Sequence, residues 1–137
     1  YIIETSVGVG RMMLTFLCDA LKSEKLKDGS TREVLKLHPS LSPYKVAVLP
    51  LMKKIHSEKA KEVYNKLSNY FMCTIDESSS IGKRYRRQDA IGTPFCITID
   101  DSTLENNTVT VRDRDTMKQI TMDIDSIPCY VIDKIMF

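Results

Sequence analysis

The most concentrated positive charge in this sequence lies in the stretch IGKRYRRQDAIG, residues 81–92. Four of its residues, Lys83, Arg84, Arg86 and Arg87, are basic and surround Tyr85. On a helix, Lys83, Arg86 and Arg87 fall within about 100° of arc, Arg84 extends the same side, and Tyr85 points roughly opposite. A basic face with an apolar anchor behind it is typical of a surface that binds phosphates. The same charges also fit a solvated helix face.

Side chains that could contact base edges lie near the basic stretch and at the end of a predicted strand. Asp76 and Glu77 precede the basic stretch, and Arg112 and Arg114 belong to the run RDRD, residues 112–115. Arginine suits the acceptor edge of guanine, and a carboxylate accepts from the amino group of cytosine. Pairing of the two arginines with the aspartates of the same run is the alternative interpretation.

A third group is the sequence ETSVGVGR, residues 4–11, at a predicted junction between a strand and a helix. Gly8 and Gly10 would let the backbone approach a ligand closely, and the start of a helix favours anionic groups. The spacing is not the dinucleotide-binding fingerprint, because Met13 stands where the third glycine is needed, and no G-K-[ST] follows as in a P-loop. A plain glycine turn explains the stretch equally well.

Neither a nucleophile nor a metal centre is suggested, so no catalytic residue and no metal ligand is predicted. The four cysteines form no C-x-x-C pair, and neither histidine is at ligand spacing from them. Three of the cysteines lie in apolar contexts typical of buried free thiols, which indicates a reducing, cytoplasmic setting.

The overall charge excludes a polycation, since 20 basic and 18 acidic residues leave a formal charge of +2. Any contact with nucleic acid must therefore come from a local patch. No apolar run approaches the roughly 20 residues that span a bilayer, so no membrane association is expected. The first residues do not resemble a signal peptide, and we expect the chain to begin partway through a longer protein.

The pattern of apolar residues predicts a strand over residues 1–8, a helix over 11–26, a charged connector, and then a regular α/β domain. A boundary is expected near residues 38–44. Beyond it, five strands and three helices predict a three-layer α/β/α domain with a five-stranded mixed sheet. The predicted strands are 45–51, 71–76, 93–100, 106–115 and 119–125, and the predicted helices are 53–70, 82–91 and 126–137.

Four collinear segments resemble the C-terminal part of the glycyl-tRNA synthetases, in their homodimeric class II form. They are IETSVGVGR, LHPSLSPYKVAVLPL, SSSIGKRYRRQDAIGTPFCITID and NNTVTVRDRD. The resemblance runs from residue 2 to about residue 125, and GKRYRRQDAIGTPF is highly specific. It implies the C-terminal end of a class II catalytic domain with its third signature motif (1–26), a linker (27–43) and an anticodon-binding domain (44–137).

The same resemblance implies roles for individual residues. Glu4, Ser6 and Gly8 match glycine-binding positions, and Gly8, Gly10 and Arg11 match ATP-binding ones. Thr5 departs from the family, which usually has proline there, and so leaves the loop without a fixed φ. The anticodon-binding surface is expected to use Lys83, Arg84, Arg86 and Arg87 for phosphates and Asp76, Glu77, Arg112 and Arg114 for base edges.

The whole enzyme implied by the resemblance joins glycine to tRNA(Gly) with ATP and Mg²⁺ and is a cytoplasmic homodimer. This fragment would supply anticodon recognition and could not catalyse the reaction alone. A different class of function is also open, namely a non-catalytic accessory module that binds nucleic acid with the same fold. The retained Glu4, Ser6 and Arg11 favour the enzyme.

Overall fold

Residues 1–26 and 28–136 are described by the structure, a computed structural model. Helix α1 (Val9–Ala20) leads into a hairpin of strands β1 (Leu21–Lys25) and β2 (Thr31–Leu35). The elements that follow are β3 (Val46–Pro50), α2 (Lys53–Leu67), β4 (Cys73–Ile75), α3 (Ile81–Ile91), β5 (Phe95–Ile99), α4 (Asp101–Asn106), β6 (Thr108–Asp113), β7 (Gln119–Asp123) and α5 (Ile127–Ile135).

Strands β3 to β7 form one sheet in the order β4-β3-β5-β6-β7. The first three strands in this order are mutually parallel, whereas β6 is antiparallel to β5 and β7 is antiparallel to β6. The predicted five-stranded mixed sheet is therefore confirmed. β3 is apolar on both faces and lies between two parallel neighbours, with all of its residues buried, as expected for a strand covered on both sides.

Helices cover both faces of this sheet, which confirms the three-layer α/β/α arrangement. On one face, Ala60 and Val63 of α2 and Val131 of α5 belong to the main apolar core. On the other face, Tyr85 of α3 packs against a smaller cluster that includes Leu49 and Cys96. Tyr85 is thus the inward anchor that the sequence predicted.

The N-terminal segment differs from the prediction. Residues 1–8 form no strand and are exposed, and the helix that follows ends at Ala20 instead of near residue 26. A strand needs a neighbour for its backbone hydrogen bonds, and within the described residues none pairs with this segment.

The predicted connector is also more ordered than expected. β2 pairs antiparallel with β1, and a 3₁₀ turn follows at Pro39–Leu41. The inward side of β2 carries Arg32 and Val34, which are both buried. A buried arginine in an alternating strand hides the apolar periodicity, so the sequence pattern indicated a loop. Residues 27 and 137, at the start of the predicted linker and the end of the predicted C-terminal domain, lie outside the described residues.

The four free cysteines differ in burial. Cys73 and Cys96 are buried, and burial raises the pKa of each thiol to about 12. Cys18 and Cys129 are exposed, so two cysteines are buried and not the three that were predicted. In the described part of the chain, no helix is both long and apolar enough to cross a membrane.

Candidate nucleic-acid interface

The basic stretch forms helix α3, as predicted, but its charges do not share one face. Lys83, Arg86 and Arg87 are exposed, whereas Arg84 is buried. Arg86 donates from Nη2 to Ser30 Oγ of the hairpin at 3.0 Å. The helix ends at Gly92, whose φ of 89° is left-handed and lets its N–H bond to the last turn.

Arg84 makes its contacts inside the chain, contrary to its predicted place on the phosphate-binding face. Its guanidinium donates to the carbonyl of Pro50 and to carbonyls of the loop at 77–79, including Ser79 O at 2.8 Å. Only 5% of the residue is exposed. On α3 its position is one turn before the buried Gln88, which places it toward the sheet.

Arg112 and Arg114 are buried too, and the structure does not place them as groups that could reach a base edge. Arg112 donates to both carboxylate oxygens of Asp89, at 2.8 and 3.1 Å, and its guanidinium carbon lies 4.8 Å from the centre of the Tyr85 ring. Arg114 donates to the carbonyls of Leu35, Gly92 and Leu37. The alternative interpretation, Arg–Asp pairing within the run, holds for Arg114, which also bonds to Asp115.

Asp76 and Glu77 lie together where β4 ends, at the carboxyl edge of the parallel strands. Ligands of open α/β sheets commonly bind at this edge. A cleft of about 390 Å³ opens there between α2 and the loop that precedes α3. We define this cleft by its lining residues, which are Lys53, Lys61, Ile75, Asp76, Glu77 and Ser78.

The two carboxylates of the cleft have different partners. Asp76 accepts from the backbone N–H and hydroxyl of Ser78 and from Arg87 Nη1 at 2.5 Å. Burial alone would raise the pKa of Asp76, but these bonds and the Arg87 charge lower it overall. Glu77 accepts from the hydroxyl of Ser57, and this bond, opposed by burial and aided by Lys53, lowers its pKa. Both groups are therefore anionic at neutral pH.

Helix α2 supplies residues that the sequence did not predict for the site. Lys53, Ser57 and Lys61 recur every four residues and so share one side of the helix, and this side faces the cleft. The start of α2 is held by His56, which is fully buried. Its Nδ1 accepts from Met52 N–H at 3.1 Å, so Nε2–H donates to Asp101 at 2.9 Å. The sequence signal that could have indicated this basic side of α2 is the eight-residue spacing of Lys53 and Lys61.

The residues expected to bind glycine and ATP lie in a different part of the molecule. Glu4, Ser6 and Gly8 belong to the exposed N-terminal segment, and Gly10 and Arg11 lie in the first turn of α1. Helix α1 also borders an apolar groove of about 540 Å³ that includes Phe16, Leu35 and Leu41 in its lining. The glycine-binding and ATP-binding roles predicted for the N-terminal residues remain predictions. No group of three or more metal-ligating side chains is found among residues 1–26 and 28–136.

Comparison with known proteins relates the chain to one family. The sequence profile described as "Anticodon binding domain" matches residues 45–134. Over all 137 residues, the chain is 55% identical to the protein "Glycine--tRNA ligase" of Clostridium tetani and 56% identical to that of Macrococcus caseolyticus. It spans 29% of the length of each of these relatives.

A solved structure shares the fold. The RNA binding domain of threonyl-tRNA synthetase from Cryptosporidium parvum Iowa II superposes with a TM-score of 0.67 at 27% sequence identity. The match covers 72% of this chain and 25% of that one.

Proposed function

This chain belongs to the anticodon binding domain family, and we propose that it recognises the anticodon of tRNA(Gly) as the C-terminal part of a glycine–tRNA ligase. The observation that carries the proposal is the cleft at the carboxyl edge of the sheet. There the anionic Asp76 and Glu77 lie among cations of two helices: Lys53 and Lys61 of α2 line the cleft with Glu77, and Arg87 of α3 pairs with Asp76. A single strand of RNA needs both kinds of group, cations for phosphates and directed polar atoms for bases.

The phosphate contacts are assigned to the exposed cations. Lys83, Arg86 and Arg87 lie on the outer side of α3, and Lys53 and Lys61 line the cleft from α2. With a formal charge of only +2 on the whole chain, the attraction for RNA is local. Binding should therefore weaken as salt rises, with a slope that reports the number of phosphates contacted.

Base recognition is assigned to Glu77. An ionised carboxylate only accepts hydrogen bonds, so it accepts from the N4 amino group of cytosine and repels the O4 acceptor of uracil. The second and third anticodon letters of tRNA(Gly) are both cytosine, which matches an acceptor-only group. Asp76 accepts two bonds from Ser78 and one from Arg87, whereas Glu77 accepts from Ser57, has Lys53 at 3.6 Å and has the more exposed side chain. We therefore assign to Asp76 the role of holding Arg87 at the edge of the cleft.

The N-terminal segment is proposed to serve the whole enzyme and not the cleft. There Glu4, Ser6 and Gly8 would contact glycine, and Gly8, Gly10 and Arg11 would contact ATP. The one carboxylate of this segment, Glu4, is assigned to glycine, and Mg²⁺ is bound by one or two carboxylates together with substrate phosphates, so magnesium would take its ligands from ATP and from other parts of the enzyme. We propose that the whole enzyme is a cytoplasmic homodimer of class II.

Affinity for an anticodon stem–loop tests the proposal. We expect the chain to bind a tRNA(Gly) stem–loop with both cytosines about ten-fold or more tightly than the same stem–loop with two uracils. Glu77→Gln adds an amide donor and should abolish this preference. Equal affinities of the unmodified chain for the two stem–loops would refute anticodon recognition by this surface.

The phosphate assignment is tested by the salt dependence of the same binding. Replacing Arg86 and Arg87 by Glu should weaken binding and flatten the plot of log K against log salt. Lys134→Glu, at an exposed position of α5, is the matched control and should leave the slope unchanged. If the slope of the double variant equals that of the control, α3 does not face the RNA.

A further inference from the structure

Arg84 is a basic residue of α3 whose guanidinium is buried among backbone carbonyls, away from the surface assigned to RNA. We infer that Arg84 is a positioning residue: it holds the loop at 76–80 in the shape that presents Glu77 to a base. The inference rests on the proposed function of the cleft and adds how its base specificity is built. It predicts that specificity and attachment depend on different arginines of the same helix.

The first observation is the set of bonds made by the Arg84 guanidinium. Nε donates to the carbonyls of Ser78 and Ser79, at 3.3 and 3.1 Å. Nη2 donates to the carbonyls of Glu77 and Ser79, at 3.3 and 2.8 Å, and Nη1 donates to the carbonyl of Pro50. One planar group thereby ties the end of β3 to three consecutive carbonyls of the loop after β4.

The second observation is the conformation of this loop. Ser79 has a φ of 67°, in the left-handed region that a residue other than glycine seldom adopts. Such a conformation persists only where the surroundings hold it. Ser79 is also the residue whose carbonyl accepts two of the Arg84 bonds. The loop is therefore held in an unfavourable shape by the buried guanidinium.

The third observation places Glu77 within the held segment. Its carbonyl accepts from Arg84, while its side chain lines the cleft and accepts from Ser57. On the near side, Asp76 N–H donates to Val48 O at 3.1 Å, which extends the parallel pairing of β4 with β3. Glu77 is thus fixed between a strand and an arginine clamp, and the direction of its carboxylate depends on both.

Lysine cannot replace this arginine, although it carries the same charge. The guanidinium has five N–H donors in a planar fork, whereas an ammonium has three donors around one point. Lysine at position 84 would leave loop carbonyls without a partner and free the loop to leave the strained shape. The charge of the helix would be unchanged, so attachment to phosphates would be unchanged as well.

The experiment measures affinities of the full chain for the cytosine and uracil stem–loops, together with the salt slope. For Arg84→Lys we expect affinity for the cytosine loop to fall about ten-fold, toward that of the uracil loop, while affinity for the uracil loop does not fall. Partial unfolding would lower both affinities equally, so this readout separates positioning from a general structural role.

Two substitutions of Ser79 test the loop without touching the arginine. Ser79→Val places a β-branched residue at positive φ and should remove the preference for cytosine. Ser79→Gly suits the same φ and should retain the preference. This pair keeps the inference testable if Arg84→Lys does not fold. Unchanged preference in the folded Arg84→Lys or Ser79→Val variant would overturn it.

Removing the charge of Arg84 distinguishes a role in positioning the loop from a direct contact with a phosphate. Arg84→Gln should leave the salt slope unchanged, because a phosphate contact would contribute about 0.7 to the slope for single-stranded RNA. A decrease of that size would show that Arg84 binds a phosphate, against the inference. If the unmodified chain itself shows no preference for cytosine, the proposed function fails, and the inference that rests on it fails for that separate reason.

Discussion

Substitution of Asp89 is the most informative test of how this fold is held together. Asp89 lies on the buried side of α3, where its side chain is 1% exposed. It accepts two bonds from Arg112 of β6 and one, at 3.0 Å, from Arg32 of β2. A single carboxylate therefore balances two buried guanidinium groups and joins the hairpin, α3 and the sheet.

Asp89→Ala should cost about 3–5 kcal/mol of the free energy of unfolding, the range for removing one partner from a buried ion pair. We expect a loss in the lower half of this range, because only one of the two arginines would be left without a carboxylate partner. Arg32 keeps Glu24, whose carboxylate accepts from it at 2.7 and 2.9 Å. Arg112 keeps its contacts with the Tyr85 ring and with the Cys96 side chain, neither of which replaces a carboxylate.

The corresponding shift in melting temperature can be worked from chain length. An unfolding entropy of about 2.1 cal/mol/K per residue gives about 0.29 kcal/mol/K for 137 residues. A loss of about 3.5 kcal/mol then lowers Tm by about 12 °C. Thermal and urea unfolding, followed by circular dichroism, measure both quantities.

Asp133→Ala is the matched control, since Asp133 is exposed on α5, and it should stay within about 0.5 kcal/mol of the unmodified chain. Asp89→Leu combined with Arg112→Met should recover much of the loss, because the unpaired buried charge is removed with its partner. A Tm within about 3 °C of the unmodified protein for Asp89→Ala would refute the reasoning, since the arginines would then not depend on this carboxylate.

Three further predictions concern the backbone, the thiols and the acid limb of stability. Gly92→Ala should lower the free energy of unfolding by about 2 kcal/mol, because φ is 89° and a Cβ would lie 2.9 Å from the backbone oxygen of Leu35. Gly82→Ala is the control, since Gly82 lies in the first turn of the same helix with open space around it, and it should raise the free energy of unfolding by about 0.5 kcal/mol. Urea titration measures both changes. Alkylation of the folded chain at pH 8 should modify Cys18 and Cys129 quickly and the two buried thiols only after denaturation, and four fast thiols would contradict the fold. Asp76 has a pKa below its ordinary value of 3.8, so its contribution to stability is full above that pH and is lost as pH falls through the lowered pKa. Asp76→Asn should therefore lose less stability than the unmodified chain as the pH is lowered below 3.8, and an equal loss would contradict this assignment.

Local pattern was sufficient for most of the five-stranded sheet. β3 was recognised because every one of its residues is apolar, and β6 because its apolar residues alternate. The helices α2, α3 and α5 follow from their periodicity or from the glycine and proline at their ends. Short α4 was missed because its sequence, DSTLEN, resembles a loop, although Asp100 and Thr103 form a capping box there.

The roles of the arginines could not be predicted, since their partners are distant in sequence. Arg32 and Asp89 are 57 residues apart, and Arg114 reaches carbonyls 77 and 79 residues away. Charge alone makes Arg84 and Arg87 equivalent, yet one is buried and the other lies at the edge of the cleft. For the same reason Lys53 and Lys61 were not predicted as part of the site.

The amino-acid sequence alone was enough for the α/β class, for the order of the five strands and of α2, α3 and α5, and for the family that the basic stretch indicates. These depend on periodicity and on contiguous motifs, which are properties of neighbouring residues. Which basic side chains are exposed and which are buried followed only from the three-dimensional arrangement of the elements. Burial of a charge depends on whether distant carbonyls and carboxylates surround it, and that is settled when β2, α3 and β6 come together.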